Sequence, residues 1–213
     1  MTTLVCFALK EEAAPFHAVA ARKPGIVTLI VGMGRQNAGQ AVRRFLQACT
    51  PDLVFTCGFA GGLNPDLKIG DVVFELGTQP EPEPSPETLI AAGAQPARFV
   101  CADRIATTVA EKKQLRATSG ADAVEMESAA IHAVCRERNI PCITLRAISD
   151  PADEELPLDF NALSKPDKSL DFGRLALAIA RSPGKIGALL ALQKKTRLAA
   201  QRLAGVLDAL CQK

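Results

Sequence analysis

An α/β sandwich around a mixed central sheet is the fold class that this 213-residue sequence predicts. Three observations carry the prediction. Apolar, strand-like runs recur along the chain at Thr3–Leu9, Ile26–Val31, Asp52–Cys57 and Ile140–Leu145. Helical spacing fills the intervals, most clearly over Gln36–Ala48, where Ala41, Phe45 and Leu46 share an apolar face. Glycines or carboxylates then follow strand after strand, and ligands in such sheets bind beyond the carboxyl ends of strands. A chain of this length is expected to form one domain, residues 1–213, with a proper core.

Taken in order, the first strand runs into Lys10-Glu11-Glu12, which opens a helix. Glu12 is thus a carboxylate at a strand's carboxyl end, although acids in a first helical turn also suit the macrodipole. The second strand leads to Gly32-Met33-Gly34-Arg35. Such a turn exposes N–H groups to an anion, so Gly34 and Arg35 are candidate anion-binding residues. Beyond the third strand, Gly58-Phe59-Ala60-Gly61-Gly62 reads as a glycine-rich loop that lets backbone approach a ligand. Asn64-Pro65-Asp66 turns the chain into a strand at Asp71–Phe74, and the Pro- and Glu-rich 77–97 stretch reads as an extended connector.

Residues 122–150, DAVEMESAAIHAVCRERNIPCITLRAISD, carry the densest chemistry. Ala123 and Val124 close a short strand, Glu125-Met126-Glu127 open a helix, and Arg146, Ser149 and Asp150 follow the strand Ile140–Leu145. Carboxylates gathered near an arginine can split their pKa values into acid and base roles. The plainer alternative is a helix start with favourable acids and Arg146 paired to one of them. Residues 151–168 form a polar, proline-containing loop that suits either a lid or a solvated connection. Helices are expected over Leu170–Arg181 and over 185–210. The latter is basic and amphipathic, fitting either an anionic membrane surface or a terminal helix docked on the sheet.

Composition narrows the partners. A net charge of +2 argues for no nucleic-acid field, and the absence of Trp and Tyr removes the usual base-stacking platforms. The seven cysteines show no CxxC pairing and read as reduced thiols of a cytoplasmic protein. His17 and His132 stand alone, so no metal site is expected. Lys10, Glu11 and Glu12 interrupt the first apolar run, unlike a signal peptide, and no stretch has the length and apolarity of a membrane span. A dinucleotide-binding dehydrogenase is excluded because no GxGxxG follows the first strand.

Four stretches in order, ALKEEAAPF, CGFAGGLNPDLKIGDVV, VEMESAA and LRAISD, resemble the nucleoside phosphorylase/nucleosidase superfamily that includes methylthioadenosine/S-adenosylhomocysteine nucleosidase. The resemblance implies cleavage of a nucleoside N-glycosidic bond, with Glu12, Asp150 and Glu127 catalytic. Glu12 would activate water, Asp150 would protonate purine N7, and Glu127 would hold the ribose hydroxyls. It further implies substrate contacts at Gly58, Phe59, Ala60, Gly61, Ile105, Glu125, Met126, Arg146 and Ser149. No cofactor is implied, a homodimer or larger homo-oligomer is, and phosphate is the alternative nucleophile. Thr56 and Phe59 stand where the phosphorylases place an Arg and a Ser, and Ile105 or Arg104 where the family stacks a Phe on the base. Over nearly the whole chain, ADRIATTVAEKKQL, ISDPADEELP and SPGKIGALLAL also resemble the hopanoid-associated phosphorylase subgroup, which implies an adenosylhopane-like substrate. A non-catalytic nucleoside-binding module is the alternative from another class.

Overall fold

The computed structural model describes residues 1–77, 84–165, 168 and 171–211. Its strands are β1 (Thr3–Phe7), β2 (Ile26–Ile30), β3 (Leu53–Gly62), β4 (Val72–Leu76), β5 (Ala94–Pro96), β6 (Phe99–Cys101), β7 (Ala123–Glu125) and β8 (Cys142–Asp150). They form one mixed sheet in the order β2-β1-β3-β8-β4-β5, with β7 paired to β3 and β6. The helices are α1 (Lys10–Ala20), α2 (Arg35–Phe45), α3 (Pro86–Ala91), α4 (Val109–Ser119), α5 (Ser128–Glu137), α6 (Phe172–Arg181) and α7 (Ile186–Leu210).

Strand alternation builds two cores. Val5 and Phe7 of β1 share one with Phe55 and Leu145, beneath Phe16 of α1 and Leu203 and Leu207 of α7. Leu4 and Cys6 point the other way, joining Val54 and Cys142 against Val42 of α2 and Ile131 and Val134 of α5. The sheet is therefore covered on both faces, which requires its central strands to be apolar throughout. All nine residues of β8 are buried.

Three readings of the sequence need correction. The glycine-rich stretch is not a loop: Gly58–Gly62 continues β3, pairing with β8 and then with β7. Glycine marks a close approach inside a strand as readily as a turn, and the two signals look alike in sequence. Likewise β8 does not stop at Leu145; Arg146, Ser149 and Asp150 are strand residues. The 77–97 connector is also more ordered than its composition implies. Ser85 caps α3 through Thr88 N–H, Pro86 opens the helix, Leu89 is fully buried, and β5 joins the sheet beside β4. Pro at the first helical position costs nothing there, because that N–H has no intrahelical partner anyway. Residues 78–83 of that connector and 166–167 of the later loop lie outside the described residues.

Candidate active site

Two groups of polar side chains are buried along β8, four residues apart, which is about 13 Å of strand. The first centres on Arg146, whose side chain is 1% exposed. Its Nη2 donates to Glu125 Oε2 at 2.7 Å and to Thr56 Oγ1 at 3.2 Å, and lies 3.4 Å from Glu127 Oε2. Its Nη1 donates to the Cys57 carbonyl at 2.9 Å, whereas Nε has no acceptor among the described residues. Gly58 makes this possible. A Cβ there would lie 2.5 Å from Arg146 Nη1 and 2.8 Å from Glu12 Oε1, and its φ of +148° is a glycine conformation.

Glu12 is held through both carboxylate oxygens. One oxygen, Oε2, reaches back to the Leu9 N–H at the helix start, and Oε1 accepts from the Phe59 N–H, each at 2.9 Å. Burial pushes its carboxyl up to about 7; Arg146 and the two amides pull it down, and Glu127 pushes it up again. Phe59 therefore meets the site through its amide. Its ring packs into the α1/α7 core, so the missing serine hydroxyl removes nothing from the Glu12 anchor.

Glu127 accepts the Gly34 N–H at 2.8 Å, and burial raises its carboxyl although Arg146 opposes the shift. Glu125 behaves oppositely. Burial would raise it, but Arg146, the Ser128 hydroxyl and the Ser128 and Glu127 amides outweigh burial and hold it below the usual carboxylate range. Its side chain is fully enclosed and anchors Arg146 and the start of α5, which leaves the backbone of Glu125-Met126 as the part expected to meet a substrate. Gly34 and Arg35, the candidate anion-binding residues, both hold protein acceptors. The Gly34 amide is taken by Glu127, and Arg35 binds the Cys101 carbonyl and pairs with Asp103.

The second group surrounds Asp150. Between Ala60 and Gly61 the β3–β8 register shifts by one residue, a bulge at Ser149 that re-aims the end of the strand. Ser149 Oγ donates to Asp150 Oδ1 at 2.6 Å, and Lys112 Nζ meets Oδ2 at 2.6 Å. Burial raises the Asp150 carboxyl, with Lys112 and Ser149 working against it. A Cβ on Gly61 would stand 3.2 Å from Asp150 Oδ2, while Ala60 packs against Ile148 and offers its carbonyl to Ser149 at 3.4 Å.

Ile105 and Met126 line a cavity of about 160 Å³ with Met33, Arg104 and the segment carrying Asn161, Ser164, Lys165 and Lys168. That segment is fastened down, for Asn161 both receives the Ile105 N–H and donates to the Ile105 carbonyl, each at 2.9 Å. Lys168 Nζ donates to the Asp103 carbonyl at 3.1 Å. Ligand pockets usually exceed about 300 Å³, so this cavity is small for a nucleoside. Among the described residues, no group of three His, Cys, Asp or Glu side chains is placed to hold a metal ion.

The family model described as the phosphorylase superfamily matches residues 10–74 and 91–181. The chain belongs to that superfamily. Solved structures share the fold. The methylthioadenosine/S-adenosylhomocysteine nucleosidase of Campylobacter jejuni matches with a TM-score of 0.72 at 18% identity, over 100% of this chain and 99% of that one. The Neisseria meningitidis nucleosidase, solved with methylthio-immucillin-A, gives 0.70 at 20% identity over 98% and 97%. The futalosine hydrolase of Helicobacter pylori, solved as a mutant, gives 0.67 at 20% over 98% and 99%.

Sequence reasoning missed Lys112 and Met33 as components of the candidate site, and it read 151–168 as a lid or a solvated connection without singling out Asn161, Ser164, Lys165 or Lys168. A lysine on a helix reads as a solvated charge, and the covering segment shows only turn-forming composition. The Asn161 pairing is long-range and leaves no local signal.

Proposed function

We propose that this protein hydrolyses the N-glycosidic bond of a purine nucleoside, releasing adenine from a 5′-substituted adenosine. The observation that carries this reading is the pairing of two buried groups on one strand: carboxylates around Arg146, and Asp150 four residues on. As the C1′–N9 bond breaks, its electron pair moves into the purine and N7 takes a proton from Asp150. Positive charge then develops on the ribose, and the Glu127 carboxylate stabilises it while holding the sugar hydroxyls. Water adds to C1′ and gives its proton to Glu12, whose pKa of about 7 suits a base at neutral pH. Desolvation raises the Asp150 carboxyl toward the range where it can donate.

Water is favoured over phosphate because carboxylates crowd the Arg146 end. A phosphate dianion there would face Glu12 and Glu127, and the nearby Gly34 and Arg35 donors are engaged by protein acceptors. The test incubates the protein with adenosine, methylthioadenosine, S-adenosylhomocysteine and a long-chain 5′-alkyl adenosine, with and without phosphate, and quantifies free base and sugar. Adenine release indifferent to phosphate is expected. Release only with phosphate, yielding ribose 1-phosphate, makes it a phosphorylase; binding without turnover makes it a nucleoside-binding module. Turnover confined to the long-chain substrate selects the lipid-linked, adenosylhopane-like class.

The partner reading concerns α6 and the first half of α7. Leu177, Ile186, Leu190 and Leu198 are exposed there, and residues 172–207 contain no acidic side chain. Arg181, Lys185, Lys194, Arg197 and Arg202 stand exposed among them. No single described helix is long and apolar enough to cross a membrane, and the two helices meet at a sharp bend of 104°. Apolar side chains interleaved with exposed cations fit the surface of an anionic bilayer. A two-fold contact between copies would set this cationic face against itself, so a homo-oligomer would form through another surface. Sedimentation with phosphatidylcholine vesicles, with and without phosphatidylglycerol, tests the reading. Binding only to the anionic vesicles, reversed by salt, is expected; no binding, with a dimer lost in Leu190→Glu, would assign the face to a second copy.

A further inference from the structure

α4 presents an anomaly. It lies on the surface, yet the one residue of this helix that is fully buried is a lysine, Lys112, at 0% exposure. Lysine is almost never enclosed unless its charge is paired. Here the ammonium's three N–H donors meet three acceptors: Asp150 Oδ2 at 2.6 Å, the Pro151 carbonyl at 2.7 Å and the Glu154 carbonyl at 2.8 Å. An ammonium has no further donor, so the arrangement is complete and directional.

We propose that Lys112 is the positioning residue for Asp150, fixing which carboxyl oxygen carries the proton and tying the acid to the chain that leaves β8. The proposal rests on the reading of Asp150 as the proton donor. A cation bound to Oδ2 makes that oxygen the poorer site for a proton. The transferable proton is therefore held on Oδ1, beside Ser149 Oγ, whose hydroxyl can turn to donate or accept. Once Asp150 has given its proton away, the ammonium stabilises the carboxylate that remains. The two carbonyl contacts extend the effect. The 151–156 segment is strapped between α4 and α7, because Leu156 N–H binds the Thr107 carbonyl at 2.9 Å and Glu154 pairs with Lys195. This strap precedes the segment that covers the cavity. Lys112 thus links the path of the strap to the orientation of the acid.

The charged groups facing Asp150 are few. Lys112 comes from α4 and Glu154 from the strap, Glu155 and, from α7, Lys195 line the adjoining cavity, and β3 contributes the uncharged Gly61. Removing Lys112 leaves burial and Glu154 pushing the Asp150 carboxyl upward with less opposition.

The experiment compares Lys112→Gln, Lys112→Met and Asp150→Asn on the adenine-releasing substrate, with thermal melting of each. Lys112→Gln keeps amide donors and removes the charge, so it preserves more of the strap than the methionine variant if the latter does not fold. We expect a fall of about 10²-fold in kcat with little change in KM, the cost of a misplaced reacting group. We also expect the basic limb of the kcat–pH profile to move to higher pH, since Asp150 keeps its proton longer without the neighbouring cation. A riboside with a 4-nitrophenolate leaving group, which departs unprotonated, should lose little in either variant, whereas a merely unfolded site would lose both activities. An inactive Asp150→Asn beside a folded Lys112→Gln with unchanged kcat and an unmoved basic limb would overturn the assignment of Lys112 alone. Full adenine release by Asp150→Asn would instead overturn the reading of the acid on which it rests.

Discussion

The two buried charge groups on β8 are built in opposite ways. Around Arg146, one cation is shared among three carboxylates, and the protein settles the excess by giving them different protonation tendencies. Glu125 stays the permanent counter-ion, whereas burial pushes Glu12 and Glu127 upward. Around Asp150, one carboxylate meets one lysine and one hydroxyl, a balanced pair whose geometry is fixed from both oxygens. An end with surplus carboxylate favours cationic character and repels a dianion. An end with a matched pair favours directed movement of a single proton. A reaction that leaves positive charge on a sugar and sends a proton to a base needs both.

The comparison breaks most readily at Arg146. Arg146→Met leaves Glu125 and Glu127 buried without their cation, which costs about 3–5 kcal/mol, or a melting temperature lower by roughly 10 °C. Calorimetry checks this, and a variant that melts within a degree or two of the parent would show the carboxylates are neutralised in another way. Glu12→Gln keeps an acceptor for the Phe59 amide but removes the base. Adenine release should fall by about 10²–10⁴-fold. In the parent, activity should rise as pH climbs through about 7, because burial holds Glu12 protonated below that value and only its carboxylate can take the proton of water. This acid limb should vanish from the residual activity of the variant; its persistence would move the titration to the coupled Glu127. The smallest effect is expected at the second group. Gly61→Ala places a Cβ 3.2 Å from Asp150 Oδ2 and 3.1 Å from Val124 Cγ1, so both must give by a few tenths of an ångström. A fall of about tenfold in kcat with stability changed by about 1 kcal/mol or less would show that Asp150 is held tightly, and no change that it is held loosely.

Much of the candidate site was legible because its residues sit in short, continuous stretches. Glu12 follows an apolar run, Glu125 to Glu127 open a helix, and Arg146 and Asp150 end an apolar strand. Less legible were the lengths of the central strands. Gly58 to Gly62 read as a loop since glycine signals turns and close approaches alike, and only the partner strands tell which applies. Ser85 and Pro86 started a helix inside a stretch whose bulk composition spoke for a connector. Phe59 looked like a lost functional group, yet its contribution is an amide that every non-proline residue possesses.

By itself, then, the sequence determined the alternation of strands and helices, the apolar faces that cover the sheet on both sides, and the carboxylates at strand ends. Those depend on periodicity and local chemistry, which neighbours in sequence suffice to set. Tertiary structure alone decided which carboxylate is shared, which is spent on support, and which is poised. It also turned Lys112 from a helix charge into the partner of Asp150, 38 positions along the chain. Burial and pairing are set by contacts between distant segments, and the energy of a charge depends on that surrounding far more than on the residue's own identity.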